Sequence, residues 1–207
     1  MVDFVGAGCG AADLITLRGK RLIEEADVII YAGSLVNPEL LGFAKESCEV
    51  HNSAYMDLDQ VISVMVKAEA DGKKIVRLHT GDPSVYGAIR EQMDRLDKLG
   101  IDYNVCPGVS SFCGAAAALK AEYTLPEVSQ TVIITRMAGR TPVPEKESID
   151  RVIEAAKKAA GILPAAKIDR NKLVEVIRAA LEQVKNTGEV EDAIDAVTAA
   201  ARKAAGF

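Results

Sequence analysis

Short apolar runs alternate with amphipathic segments through the first 120 residues of the chain. Each run has the length of one buried strand, and each following segment places its apolar residues at the spacing of a helix. The predicted strands are Asp3–Val5, Asp27–Tyr31, Cys48–His51 (the weakest), Lys74–Leu78 and Asp102–Cys106. The predicted helices lie at Leu14–Ile23, Pro38–Ala44, Leu58–Val66, Ala88–Leu96 and Val109–Ala118. This alternation predicts an α/β domain, a parallel sheet with helices on both faces.

The pattern changes after this domain, which we expect to span residues 1–122. Residues 123–145 form a linker with one more apolar strand, Thr131–Thr135, framed by prolines. Residues 146–207 are rich in Ala, Lys and Glu, and their regular amphipathic period predicts about three helices. These helices begin at Ser148, at Asp169 and after Gly188.

The most specific candidate for a ligand site is the corner at Gly81, Asp82 and Pro83. The order Asp-Pro predicts a helix start, because a carboxylate caps free N–H groups and Pro is tolerated at the first helical position. Two similar corners stand at Gly6–Gly10 and at Pro107–Ser111. Ligands of open α/β sheets bind beyond the carboxyl ends of the strands, so three such corners predict a binding rim there.

Each corner also has a purely structural interpretation, and both interpretations stay open. Asp82 alone can cap its helix, a role worth about 1 kcal/mol. The Gly6-x-Gly8-x-Gly10 spacing departs from the dinucleotide pattern G-x-G-x-x-G, so this loop is either a tight turn or a ligand contact. The hydroxyls of Ser110 and Ser111 can be helix caps.

Composition narrows the classes of function. The 207 residues carry a net charge of −5 with a pI near 5.2, which argues against binding nucleic acid or anionic membranes. No apolar run approaches the ~18 residues of a membrane span, and no leader pattern precedes the first strand. We therefore expect a cytoplasmic location.

The side chains that usually carry metal or nucleophilic chemistry lack the patterns for it. The cysteines, which we expect to be reduced and mostly buried thiols, show no paired spacing; they are Cys9, Cys48, Cys106 and Cys113. The two histidines have no partner ligand at helical or strand spacing, so no metal site is predicted. No G-x-S-x-G pattern supports a serine nucleophile.

Taken in order, a set of motifs resembles the tetrapyrrole methylase family over about residues 1–148. The motifs are Val5-Gly-Ala-Gly-Cys-Gly10 with Asp13-Leu-Ile-Thr16, Tyr31-Ala-Gly-Ser-Leu-Val-Asn-Pro38, His79-Thr-Gly-Asp-Pro-Ser-Val-Tyr-Gly87 and Pro107-Gly-Val-Ser-Ser111. Residues Leu125–Arg136 and 139–142 resemble the branch of the family that acts in anaerobic cobalamin synthesis.

The resemblance implies a homodimer of two-domain subunits that transfers a methyl group from S-adenosylmethionine (SAM) to a ring carbon of a cobalt-precorrin tetrapyrrole. SAM lies in the cleft between the domains of such proteins. The residues matched to the SAM site are Gly81, Asp82, Pro83, Tyr86, Ser110 and Ser111. The candidates on the substrate side are Gly8, Gly10, Asp13 and Arg136, with Arg18 and Arg140 as further cations for substrate carboxylates.

Two departures from the family pattern stand out. Cys9 occupies a position where proline is common. More importantly, the Ala-rich helices of residues 149–207 do not resemble the mixed strands and helices of the family's second domain. This predicts an engineered chimera, or a natural divergent tail, in which a helical segment replaces that domain. Such a scaffold would bind SAM weakly or not at all and would show no turnover.

Overall fold

The computed structural model describes residues 1–138 and 142–159. The chain divides into two compact units, Met1–Val132 and Ile133–Phe207, and each is described by itself. The predicted boundaries near 122 and 145 stay a prediction.

The first unit is built on a five-stranded parallel sheet. Its strands are β1 (Val2–Gly6), β2 (Val28–Tyr31), β3 (Glu49–Asn52), β4 (Ile75–His79) and β5 (Tyr103–Cys106). They lie in the order β3-β2-β4-β1-β5. Every residue of β1 and β4 is buried, as the centre of a sheet covered on both faces requires. The predicted α/β fold is confirmed.

Side chains alternate between the two faces of the sheet and form two hydrophobic cores. On one face, β1, β2 and β4 pack against α2 (Leu58–Ala70) and α3 (Ile89–Leu99). On the other face, the same strands pack against α1 (Leu17–Glu25) and the 3₁₀ helix Pro38–Phe43. Phe4 belongs to the first core and its neighbour Val5 to the second, and neither is accessible to solvent.

Several sequence signals place helix ends correctly. Asp57 and Gln60 form a reciprocal capping box at the start of α2. Gly100 ends α3 in the left-handed conformation, as the stop at that residue predicted. The short helix α4 (Ser111–Ala118) begins two residues after its predicted start.

Three predictions about local structure are wrong. Asn37 does cap the segment after it, but Pro38–Phe43 is a 3₁₀ helix rather than an α-helix. Asp82 and Pro83 do not begin a helix, because α3 starts only at Ile89. Residues 131–135 form no strand in the described part of the chain, and their apolar side chains are about half exposed.

The four cysteines are free thiols, and only Cys106 is buried. The expectation that most of them are buried is therefore wrong. Cys9 and Cys48 are partly exposed because they lie in loops at opposite ends of the sheet, while Cys113 lies on the outer side of α4.

The described part of the second unit contains a 3₁₀ turn, Glu145–Glu147, and the helix α5 (Ile149–Ala159). The start predicted at Ser148 agrees with α5, whose Val152 N–H donates to the Ser148 carbonyl. The helices predicted from Asp169 and after Gly188 lie outside the described residues. Among the helices that are described, none has the length and apolar character to cross a membrane.

Two ionisable side chains are buried in the core beneath α3. Arg77 donates from Nε to Gln92 Oε1 at 3.0 Å and from Nη1 to the Ile30 carbonyl at 3.1 Å. Burial lowers the pKa of Arg77 to about 10, so its charge persists at neutral pH. Burial, with a further contribution from the Arg77 charge, lowers the pKa of His79 to about 3. His79 is neutral, stacks on Phe4, and its Nε2 has no hydrogen-bond partner in the described structure.

Replacing His79 by leucine should make stability less sensitive to acid. Unfolded His79 takes up a proton near its ordinary pKa of 6.5, whereas the folded residue does so only near 3. The native protein therefore loses stability as pH falls from 6.5 towards 3, by about 2 kcal/mol between pH 7 and pH 5. We expect His79→Leu to remove this part of the loss, measured by urea unfolding at each pH. His51→Gln, at the other histidine, is the control. Equal losses in the wild type and His79→Leu would contradict the prediction.

Candidate ligand site at the carboxyl edge of the sheet

The loops that leave β1, β4 and β5 meet at the carboxyl edge of the sheet. β1 lies between β4 and β5, with Gly6 paired to His79 and Val5 paired to Cys106. The chain leaves β1 for α1 on one face and leaves β4 for α3 on the other. Adjacent strands whose connections diverge in this way open a crevice, and such crevices hold the ligands of open α/β sheets.

Glycines allow the three loops to touch through their backbones. A Cβ placed on Gly6 would lie 2.6 Å from backbone atoms of Gly108 and Gly81. A Cβ on Gly108 would lie 2.2 Å from the Gly81 carbonyl oxygen. Real Cβ atoms do not come so close to backbone atoms, so this contact requires glycine. Gly8 and Gly81 add a pair of backbone hydrogen bonds of 3.2 and 2.9 Å between the first two loops.

Asp82 joins two of the loops through its side chain. Its Oδ1 accepts a hydrogen bond from the Ser84 N–H at 2.8 Å, which stabilises the turn after β4. Its Oδ2 accepts from the Gly108 N–H at 3.0 Å, which holds the loop after β5. Asp82 therefore caps a turn and clamps a neighbouring loop, whereas the sequence suggested that it caps a helix.

The segment between this turn and α3 has an unusual backbone. Tyr86 and Ala88 both adopt the left-handed conformation, with φ of 59° and 51°. Residues with a side chain rarely do so, and the conformation costs roughly 1–2 kcal/mol per residue. Gly87 packs against the Pro83 carbonyl oxygen, which would lie 2.1 Å from a Cβ on that glycine. This folded-back segment delays the start of α3 and puts Tyr86 at the crevice.

The crevice contains a cavity of about 440 Å³. Its volume is within the 300–1,000 Å³ typical of small-molecule sites. The predicted site residues that line it are Gly8, Gly10, Gly81, Asp82, Tyr86, Ser110 and Ser111. The structure thus brings together the glycine loop, the Gly-Asp-Pro corner and the start of α4, as expected for a binding rim.

The remaining candidates do not line this cavity. Pro83 is buried beneath the turn, and Asp13 is exposed in the 3₁₀ helix Ala12–Leu14. Arg136 belongs to the second unit, where its guanidinium donates to the Met137 and Pro142 carbonyls at 3.3 and 3.0 Å. Arg18 is exposed at the start of α1. Arg140 lies outside the described residues.

Sequence reasoning missed four residues of the cavity wall: Cys9, Leu35, Thr80 and Val85. All four stand inside the motifs used above, so a signal was present. The motifs do not specify the geometry of the turns, and that geometry determines which side chains face the crevice. Leu35, for example, is 79% exposed in a 3₁₀ turn, Gly33–Leu35, that no apolar pattern indicated.

The polar groups of the cavity wall are mostly neutral. Its wall combines glycine backbone with the hydroxyls of Thr80, Ser110, Ser111 and Tyr86, and Asp82 is its one carboxylate. Ser110 is the N-cap residue of α4 but makes no side-chain capping bond. The start of α4 therefore offers a partly positive helix end to a bound carboxylate. No cluster of three potential metal ligands occurs among the described residues, and the lack of a metal site stays a prediction.

Comparison with known proteins agrees with this fold. The sequence profile described as Tetrapyrrole (Corrin/Porphyrin) Methylases matches residues 1–201. The chain therefore belongs to the tetrapyrrole methylase family. The match continues well past residue 148, where the motifs ended, and it gives no support to a replacement of the second domain by an unrelated segment.

Individual relatives are methyltransferases of corrin synthesis. A cobalt-precorrin-4 C(11)-methyltransferase of Methanocaldococcus jannaschii is 59% identical over 169 residues, 82% of this chain and 65% of the relative. A precorrin-4 C(11)-methyltransferase of a Sinorhizobium species is 49% identical over 149 residues, 72% of this chain and 59% of the relative.

A solved structure, described as the cobalamin biosynthetic enzyme cobalt precorrin-4 methyltransferase, superimposes with a TM-score of 0.71 at 46% identity. The superposition covers 74% of this chain and 64% of that one. The chain thus spans less than two thirds of the length of each of these relatives.

Gly108→Ala should strongly destabilise the protein. The new methyl group would lie 2.2 Å from the Gly81 carbonyl oxygen, a backbone atom, and a Cβ has no torsion by which it could move away. We expect a loss of about 3 kcal/mol of unfolding free energy. Gly42→Ala is the matched control, because a Cβ there meets nothing within 4 Å. Thermal and urea unfolding measure both, and similar values for the two variants would refute the backbone contact.

Asp82→Ala should cost more stability than Asp82→Asn. Alanine leaves the Ser84 and Gly108 N–H groups without their acceptor, at a cost of about 1–3 kcal/mol. Asparagine keeps one carbonyl oxygen, so it should retain about half of this contribution. Denaturant unfolding compares both with Asp13→Ala, an exposed carboxylate outside the cavity. If Asp82→Ala were as stable as Asp13→Ala, Asp82 would not clamp the two loops.

Proposed function

We propose that this chain forms the SAM-binding part of a C-methyltransferase that acts at C11 of a cobalt-precorrin tetrapyrrole. The observation that carries the proposal is the cavity of about 440 Å³ at the β1–β4–β5 crevice of a chain in the methylase family. The 59% identity to a cobalt-precorrin-4 enzyme favours the cobalt-containing substrate over the metal-free one.

The residues of the cavity fit SAM by size and by chemistry. SAM combines a zwitterionic amino acid, a ribose and an adenine, and sites for such molecules mix apolar walls with a few polar groups. Leu35, Val85 and Tyr86 supply apolar surface. Gly81 allows close approach to the backbone, and Ser110 and Ser111 offer hydroxyls at the partly positive start of α4. Pro83 contributes indirectly, by fixing the buried turn beneath Asp82.

When bound, SAM supplies an electrophilic methyl group on a sulfonium cation. The role left to the protein is to hold the donor and the ring carbon in line, and positioning of this kind lowers barriers by several kcal/mol. The glycine contact and the Asp82 clamp suit that role, since they fix three loops relative to one another. A mostly neutral, partly apolar wall does little to stabilise the sulfonium charge that is lost during transfer.

The substrate side of the proposal rests on fewer groups. Gly8 and Gly10 line the cavity, and we propose that their loop faces the macrocycle. Asp13 is exposed beyond this loop, and Arg136 is a candidate partner for a substrate carboxylate from the second unit. The chain spans less than two thirds of its relatives' length, and its activity on the macrocycle is part of this proposal. A homodimer and a cytoplasmic location likewise stay predictions.

Binding of S-adenosylhomocysteine (SAH), the demethylated product, tests the proposal directly. We expect a saturable heat in calorimetry that weakens at least about tenfold in Leu35→Ala, which removes part of the cavity wall. Leu17→Ala is the matched control: Leu17 is 89% exposed, Leu35 is 79% exposed, and only Leu35 lines the cavity. The control should bind as the wild type does.

Two results would contradict this function. One is the absence of heat from SAH at high concentration, which would favour a scaffold without turnover. The other is equal weakening by Leu35→Ala and Leu17→Ala, which would place binding elsewhere. If SAH binds, incubation with SAM and a cobalt-precorrin tetrapyrrole should add one methyl group to the macrocycle, detected by mass spectrometry.

A further inference from the structure

We infer that Asn37 is a positioning residue for the glycine loop that forms one wall of the cavity. Asn37 does not itself line the cavity. It stands at the start of the 3₁₀ helix Pro38–Phe43, where its Oδ1 accepts a hydrogen bond from the Glu39 N–H at 3.0 Å. Its Nδ2 donates to the Gly10 carbonyl oxygen at 2.8 Å. One side chain thus caps a helix and holds a loop 27 residues away in sequence.

The orientation of the Asn37 amide follows from its two partners. The Glu39 N–H can only donate and the Gly10 carbonyl can only accept. The amide oxygen of Asn37 must therefore face Glu39, and its nitrogen must face Gly10. A good N-cap needs an acceptor, and Asp would serve there as well as Asn. The carboxylate of Asp has no proton to donate, whereas the amide of Asn also supplies the donor that Gly10 requires. The capping role therefore does not explain asparagine at this position, whereas the contact with Gly10 does.

The other contacts of the loop show what Asn37 adds. At one end, Gly8 exchanges two backbone hydrogen bonds with Gly81. In the middle, Cys9 packs on α4 at Gly114, where a Cβ would lie 2.7 Å from Cys9 Cβ and Sγ. At the far end, Gly10 has a φ of 128°, a region that only glycine enters readily. The Asn37 donor fixes this most permissive residue of the loop.

The expected effect of Asn37 on methyl transfer rests on the proposed function. The contact between Asn37 and Gly10 does not, because it is a feature of the structure itself. Because the loop is one wall of the proposed SAM cavity and, as proposed, faces the macrocycle, loosening Gly10 should weaken SAH binding and impair methyl transfer. The position of the loop itself can be measured without any ligand, because Cys9 lies between Gly8 and Gly10 and is partly exposed.

Two variants separate the two roles of Asn37. Asn37→Asp keeps an acceptor for the Glu39 N–H but loses the donor to Gly10. Asn37→Ala loses both. If capping were the whole role, only the alanine variant would differ from the wild type. If the residue positions the loop, both should loosen it, although the aspartate variant keeps the helix cap and should melt close to the wild-type temperature.

Alkylation of the full chain by iodoacetamide, followed by peptide mass spectrometry, reads out the loop. We expect Cys9 to react about two- to tenfold faster in both variants, the factor by which one hydrogen bond biases a local opening. Cys48, which lies at the opposite end of the sheet, should react at an unchanged rate and serve as the internal reference. In Asn37→Asp, the KM for the tetrapyrrole should rise or kcat should fall by a larger factor than the affinity for SAH falls.

Either of two results would overturn the inference: unchanged Cys9 reactivity in Asn37→Asp, or faster reaction only in Asn37→Ala together with a lower melting temperature. A wild-type chain that does not bind SAH would refute the proposed function instead. The alkylation result would still decide whether Asn37 holds the loop.

Discussion

The contact among Gly6, Gly81 and Gly108 is the constraint on which the site depends. Three strand ends approach so closely that no side chain fits between them, and this closeness lets Asp82 reach the Gly108 N–H and Gly8 pair with Gly81. A backbone contact of this kind has no rotamers, so it fixes the loops more rigidly than side-chain packing would. Because the loops are rigid, the shape of the cavity between them is fixed as well.

Strain near the cavity is compensated by the sheet beneath it. The left-handed Tyr86 and Ala88 are unfavourable, and so is burial of Arg77 and His79. Both energetic costs are offset by the packing of β4, whose residues are all buried between two hydrophobic cores. Strain of this sort persists only where surrounding structure over-determines the conformation, and it tends to occur at functional sites.

The sequence was sufficient for the layers of the fold and for the edge at which the site lies. Periodicity located all five strands. The central strands β1, β2 and β4 are buried and have short, distinct apolar runs, whereas β3 (Glu49–Asn52) is a partly exposed edge strand, which explains its weaker pattern. The sequence was insufficient where contacts distant in sequence decide local structure. Asp82-Pro83 has the local chemistry of a helix start, yet the Gly108 N–H and the packing of Gly87 on Pro83 impose a turn. The strand order, which creates the crevice, cannot be predicted from periodicity.

The nearly uncharged wall of the cavity has a consequence for selectivity. Because the wall offers hydroxyls, backbone dipoles and one carboxylate already engaged by two N–H groups, recognition there depends on shape and short-range hydrogen bonds. Such contacts are screened little by dissolved ions, unlike attraction between exposed charges. Affinity for a small ligand in this cavity should therefore vary little with ionic strength. A polyanionic ligand would have to find its counter-charges beyond these lining residues, so its binding would respond to salt more strongly.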